Sequence, residues 1–195
     1  PPVLATLVSD ELDFPNLSMM GVDDRAAAYQ AVSYLIQQGH RKIAVLGGPA
    51  TSHPSMMRRQ GAQQAMEDAG IRFEDKLYGL SNYDFESAYH AMNGLLARRA
   101  EFTALFAMSD VIAFGAIRAL VSAGLRVPED VSVIGFDGIT MSRYCVPVMT
   151  TIVQPSEQIA LQSIELLVRQ IEHGTPAQTV TLQPELQQGE SVRAL

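Results

Sequence analysis

Residues able to do chemistry are few in this chain and far apart. Four histidines, His40, His53, His90 and His173, show no metal-ligand spacing, so a solvated or capping role is expected for each. Cys145 is the only cysteine; a nucleophilic thiol needs a base and an orienting group beside it, and this one reads as partly buried and inert. "GGPATS" (47–52) has two glycines but lacks the lysine of a GxxxxGK[ST] phosphate loop. Neither a G-x-G-x-x-G dinucleotide fingerprint nor a G-x-S-x-G nucleophile elbow occurs. What remains is acceptor chemistry. In "VPEDVSVIGFDG" (127–138) an apolar run stops on Asp137, set between Phe136 and Gly138. A carboxylate fixed there cannot alone turn over a substrate, but it can orient a small polar molecule by accepting its hydrogen bonds.

Bulk composition narrows the setting. The 195 residues are 47% hydrophobic and 18% charged, which suits a globular chain with one substantial core or two small ones. A formal charge of −7 opposes wrapping nucleic acid, and the pairs Arg58-Arg59 and Arg98-Arg99 are too small to form a phosphate-binding patch. No stretch approaches the roughly 20 apolar residues of a membrane helix, and "PPVLATLVSDELD" lacks a basic start and cleavage site. One cysteine allows neither a disulfide framework nor a thiolate zinc cluster, which fits a reducing cytoplasm. A soluble cytoplasmic protein without membrane contact or cofactor is therefore expected.

The elements that must position Asp137 follow from periodicity. "PVLATLV" (2–8), "KIAVLGG" (42–48), "KLYGL" (76–80), "TALFAM" (103–108) and "VSVIGF" (131–136) read as strands, several without polar alternation, as in a sheet covered on both faces. Between them, helical spacing runs over 24–38, over 55–69 and from Asp84 through "DFESAYHAMNGLLARR". A fourth helical run follows Ser109 or Asp110 in "VIAFGAIRALVSAG". Strand and helix alternate about every 30 residues, so the predicted class is α/β with a doubly wound parallel sheet. Such sheets bind ligands beyond the carboxyl ends of their strands, where Asp137 would emerge. After residue 150 the rhythm changes to one long amphipathic helix over 155–173, with the stripe Ile159, Ile164, Leu167, Val168 and Ile171 and a stop at Gly174. "TVTLQPELQQGESV" then suggests two short strands around Pro184 that return as a sheet edge.

The motifs "GVDDRAAAYQAVSYLIQQGHRKIAVLGGP", "RRQGAQQAMEDAGI", "FAMSDVIAFGAIRALVSAGLRVPEDVSVIGFDG" and "PVMTTIVQP", in this order and spacing, resemble the effector-binding region of the lactose-repressor (LacI/GalR) family of bacterial transcription regulators. The resemblance covers nearly the whole chain. It implies a periplasmic-binding-protein-like fold of type I, with one complete lobe and parts of the other. Residues 1–21 would be a remnant of the N-terminal sensor lobe, 22–149 the C-terminal lobe, 150–174 a crossover and helix of the N-terminal lobe, and 175–195 the return. It further implies an N-terminally truncated fragment of a homodimer whose helix-turn-helix domain binds operator DNA, the effector, a sugar or related polar metabolite, lying in the cleft between lobes.

Site residues carry across one at a time. Arg58 matches the arginine after "GGP", whose planar fork can bond adjacent hydroxyls or a carboxylate; the alternative is a surface arginine pairing locally. Asp137 matches the aspartate after the "IG(F/Y)D" strand, against a turn-capping role. Tyr83 matches an aromatic that stacks on the effector, against simple packing. Asp23 matches the aspartate of a V-D-N motif whose Asn is here Asp24, against capping the following helix. Ser109 could bond a ligand or cap its own helix, and Asp10 could be a cleft aspartate of the first lobe. Pro54, Met56 and Met57 make the wall before Arg58 more apolar than a pocket reading only sugar hydroxyls would be. The helix stripe over 155–173 would face a sheet largely outside the chain, leaving an apolar face that drives association. Two rivals remain: a solute-binding protein of a sugar transporter, and an enzyme, which would need a nucleophile-base pair or metal cluster that the sequence does not display.

Overall fold

The computed structural model describes residues 3–5, 17–99 and 101–195. In chain order the elements are β1 (Val3–Ala5), β2 (Ser18–Val22), α1 (Asp24–Gln37), β3 (Ile43–Gly47), α2 (His53–Asp68), β4 (Tyr78–Leu80), α3 (Phe85–Ala97) and β5 (Ala104–Ala107). They continue with α4 (Asp110–Ser122), β6 (Ser132–Asp137), β7 (Thr150–Val153), α5 (Ser156–His173), β8 (Thr179–Leu182) and β9 (Glu185–Gln187). Two compact units result, Pro1–Asp23 with Gln154–Glu185 and Asp24–Val153 with Leu186–Leu195.

The larger unit is built on a six-stranded sheet in the order β4-β3-β5-β6-β7-β9. From β4 to β7 every neighbouring pair is parallel, with registers such as Val45↔Phe106 and Phe106↔Ile134. All residues of β3 and β5 are buried, as are Ser132–Phe136 of β6, which explains their unalternated apolar sequences. The chain moves from β3 outward to β4, then back across β3 to β5 and on to β6. Right-handed crossovers therefore put α2 on one face and α3 and α4 on the other. The helix pairing agrees: α1 packs on α2, and α3 packs on α4. Ser109 and Asp84 start α4 and α3 by accepting hydrogen bonds from the amides of Ile112 and Ser87 at 3.1 and 2.8 Å.

The smaller unit has the parallel sheet β1-β2-β8 with α5 packed on it. The helix stripe expected to lie uncovered does so at Ile164, Val168 and Ile171, and needs correction at Ile159, which is buried. α5 buries Ile159, Ser163, Leu166 and Gln170, with Ile159 and Leu166 against Met20, Val22, Val180 and Leu182. Ile164, Val168 and Ile171 are exposed, together with Leu161. The buried line rotates onto Ser163 and Gln170 because Gln170 Nε2 donates to Ser18 Oγ at 2.7 Å and the Ser163 hydroxyl to the Ile159 carbonyl at 2.6 Å. Ser163 and Gln170 thus share the inner face with Ile159 and Leu166 while four branched apolar side chains face outward, a choice that hydrophobicity alone ranks the other way.

His40 is a second correction. It is fully buried, not solvated, with Nδ1 2.9 Å from the Thr103 hydroxyl and Nε2 3.1 Å from the Arg193 carbonyl. The β2 and β7 strands were not read from sequence, and the strand expected over 2–8 is described only at Val3–Ala5.

Candidate functional site

Along the carboxyl edge of the large sheet, each strand delivers a polar residue or a turn. β3 ends in Gly47, followed by Gly48; β4 leads to Ser81, Asn82 and Tyr83; β5 leads to Met108 and Ser109; β6 ends on Asp137. From Gly48 the chain enters α2, whose Ser55 hydroxyl donates back to the Gly48 carbonyl at 3.2 Å. One turn further on, the same helix sends Arg58 over the strand ends.

Arg58 is the centre of the arrangement. Its side chain is 7% exposed, and its guanidinium stacks on the Phe136 ring at 3.7 Å from the centroid. Nε donates to Asp24 Oδ1 at 2.6 Å and Nη1 to the Met108 carbonyl at 2.5 Å, while Asp137 Oδ1 lies 3.6 Å from Nη1. One arginine thereby ties the start of α1 to the ends of β5 and β6. A buried guanidinium is tolerated because two carboxylates, a carbonyl and a ring face replace its water.

Asp137 reaches this place through an unusual backbone. Its φ is +111°, a conformation that costs a non-glycine residue about 1–3 kcal/mol unless its surroundings enforce it. Enforcement comes from Asp110, fully buried at the first position of α4. Its Oδ2 accepts from the Ile139 amide at 2.9 Å and its Oδ1 from the Thr151 hydroxyl at 2.6 Å. Gly135 makes room for it, since a Cβ at that position would stand 2.2 Å from Asp110 Oδ1. Burial pushes the Asp110 carboxyl up to about 6, against the Thr151 and Ile139 hydrogen bonds that pull it down, with the charge of Asp137 also raising it.

Tyr83 also has a positive φ, +60°, and lies flat on the β3–α2 turn: a Cβ on Gly48 would fall 2.1 Å from its ring. Its hydroxyl is buried without a hydrogen-bond partner. Arg58 and Asp137 therefore come together at the ends of β5 and β6, whereas Tyr83 sits at the ends of β4 and β3, on the same edge of the sheet. Ser109 is 4% exposed, and its hydroxyl caps α4. Asp23, exposed, directly precedes α1 in the smaller unit. Asp10 lies outside the described residues. Sequence reasoning missed Asp24, Asp110 and the Phe136 face. For Asp24 the doublet Asp23-Asp24 carries the signal, since the second acid opens α1. Asp110 looked like an ordinary first-turn acid, and its burial is a tertiary fact. Cys145 is half-buried; its thiol donates to the Ser142 and Pro147 carbonyls, and burial raises its pKa, as befits an unreactive thiol. Among the described residues, no group of three His, Cys, Asp or Glu could hold a metal.

A strand-end face of this kind on a doubly wound sheet is where known binding proteins hold small ligands, and comparison with them gives the family. The family model described as a periplasmic binding protein-like domain matches residues 32–192. A solved sugar-binding transcriptional regulator of the LacI family from Escherichia coli, complexed with phosphate, is 30% identical; the match covers 92% of this chain and 69% of that one, with a TM-score of 0.84. The chain belongs to the LacI family. The transcriptional regulator CelR, solved with cellobiose, is 32% identical with a TM-score of 0.88 over 97% of this chain and 64% of that one. The transcriptional repressor CytR of Escherichia coli K12 is 37% identical over 172 residues, 88% of this chain. The LacI-family chain described here spans about half the length of that curated relative. Its fold is the periplasmic-binding-protein-like α/β fold.

Proposed function

We propose that the edge of the large sheet bearing Arg58 and Asp137 binds a small polar effector, and that in the whole regulator its occupancy controls binding of operator DNA by a dimer. The observation that carries this is the Arg58 constellation: a buried guanidinium stacked on Phe136, anchored to Asp24 and the Met108 carbonyl, and beside an acceptor held at an unfavourable φ. Backbone strain maintained by a dedicated buried carboxylate is understandable where the orientation of Asp137 matters for recognition. Arg58 and Asp137 are assigned to the effector, and Tyr83 as an aromatic wall; Asp23, Ser109 and Asp10 are secondary candidates. The lobes of the sensor correspond to the two units, and the protein acts in the cytoplasm as a homodimer without catalysing a reaction. Support for a regulator over a transport protein comes from the relatives named above, which are transcriptional regulators, two of them solved with cellobiose or phosphate. Among the described residues no helix is long and apolar enough to cross a membrane.

The coupling acts through differential affinity: an effector that binds one arrangement of the sensor better shifts the population toward it. The test is a thermal-shift and calorimetric screen of the chain against cellobiose, monosaccharides, nucleosides and amino acids. At least one compound should raise the melting temperature, and Arg58→Ala and Asp137→Ala should each weaken it by about 10-fold or more, as expected when a charged hydrogen-bond partner is lost. Unchanged affinity in both variants, with the fold intact by circular dichroism, would refute the assignment.

A further inference from the structure

A buried arginine at the strand ends ordinarily reads as a receptor for anions, because its fork matches carboxylate and phosphate. The surroundings of Arg58 argue otherwise. Nε is taken by Asp24 at 2.6 Å and Nη1 by the Met108 carbonyl at 2.5 Å, and one face of the guanidinium plane is covered by the Phe136 ring. Two carboxylates, Asp24 and Asp137, stand within 4 Å of a single guanidinium, and the side chains of both are largely withdrawn from water, at 15% and 28% exposure. Behind them the carboxyl of Asp110 interacts with Asp137 from the first turn of α4. The formal charge of this group is therefore negative despite the arginine, and reduced hydration strengthens its effect on an incoming charge.

We infer that Asp24 is a specificity-determining residue: by occupying Arg58 it makes this face select uncharged or amine-bearing polar molecules and reject phosphorylated or carboxylated ones. The inference rests on the reading of the face as an effector site. An anion would have to displace Asp24 from Nε or sit beside two carboxylates, and like charges brought together in a partly dry site are strongly disfavoured. Hydroxyl and amine donors gain what the anion loses, since carboxylates only accept hydrogen bonds. One feature pulls the other way: α2 begins with no acid in its first turn and no side-chain cap at Ser52, which leaves positive helix-end potential nearby. Pro54, at the start of that helix, removes one of the amide donors an anion would use. The starts of α1 and α4 are already answered by the chain's own acids, Asp24 and Asp110.

The experiment compares matched ligands by calorimetry: glucose, glucosamine, glucose 1-phosphate, glucose 6-phosphate and gluconate, with ribose and ribose 5-phosphate, and with a nucleoside and its monophosphate. The wild-type chain should bind a neutral or aminated member at least about 10-fold more tightly than its anionic counterparts. Asp24→Asn keeps a side-chain oxygen for Arg58 Nε while removing the charge, and should narrow that ratio by about 10-fold; Asp24→Ser serves if the asparagine variant fails to fold. Raising the salt concentration should narrow the wild-type ratio with no substitution at all. Binding of the phosphate or carboxylate member as tightly as its neutral partner, or a ratio indifferent to Asp24 and to salt, overturns the inference and leaves the site reading standing. Neutral and anionic members that both fail to bind, or that bind without dependence on Arg58 and Asp137, overturn the site reading and the inference with it.

Discussion

At Asp110 a single carboxylate holds the turn that presents Asp137, and its protonation can be read as stability. The folded carboxyl titrates at about 6, above the ordinary 3.8, so between those values the native chain retains a proton that the unfolded chain has released. The associated stabilisation is complete below about 3.8 and is lost as pH rises through about 6, an effect of order 2–3 kcal/mol. Asp110→Asn keeps an acceptor for the Ile139 amide and cannot ionise. Urea denaturation should therefore show the variant gaining on wild type between pH 4 and pH 7.5, with the crossover centred below pH 6. Equal slopes for the two proteins would show that no buried proton resides there. The meeting of Arg58 and Asp137 at one sheet edge was foreshadowed in the sequence, because Asp137 ends an apolar strand and Arg58 lies in the helix that follows "GGP". Asp24 and Asp110 were not, because what distinguishes them from other first-turn acids is the guanidinium at 2.6 Å and the space left by Gly135.

Among the elements, α5 separates hydrophobic pattern from actual burial. The apolar stripe Ile159, Ile164, Leu167, Val168 and Ile171 is split: Ile159 turns inward with Ser163, Leu166 and Gln170, where Gln170 Nε2 donates to Ser18 Oγ and the Ser163 hydroxyl to the Ile159 carbonyl. Leu166→Ala should therefore cost about 2–4 kcal/mol, as for other buried leucines, whereas Ile164→Ser should stay within about 0.5 kcal/mol. Amide exchange across α5 is the appropriate readout, since it reports the smaller unit directly; comparable losses of protection in both variants would reject the observed register. Where the sheet is covered on both faces, as at β3, β5 and β6, the strands were legible because short unbroken apolar runs, too brief for a helix, recur between helical segments. Short strands such as β2, "SMMGV", carry no such run, and β7 is marked mainly by threonines whose burial depends on Asp110 and Ser191 as partners.

Across the whole molecule the chain passes between its two units at Asp23, at Val153 and again at Glu185, and the last ten residues belong to the larger unit. That closing segment packs Leu186 and Val192 on the core and is also stitched in by polar contacts. Ser191, fully buried, accepts from the Thr150 amide at 2.8 Å and donates to the Val133 carbonyl at 2.6 Å. Arg193 gives its amide to Ser132 at 3.1 Å and its carbonyl to His40, and the Leu195 amide reaches the Gln38 carbonyl at 2.8 Å. Ser191→Ala removes the acceptor of a buried amide and should cost about 1–3 kcal/mol, read as a lower urea midpoint for the larger unit. His40 adds a pH signature of opposite sign to that of Asp110. Burial lowers its pKa below 6.5, so the native chain prefers the neutral ring and binds fewer protons than the unfolded chain. The stability it contributes is present above about 6.5 and declines as pH falls through that value toward the lowered one. A chain cut after Gln188 loses the Arg193 carbonyl that holds Nε2, so its stability near pH 5.5 relative to pH 8 should no longer follow the wild-type slope. If truncated and intact chains fall in parallel over that interval, the tail does not hold His40, and the hydrogen bond from Thr103 alone must account for its burial.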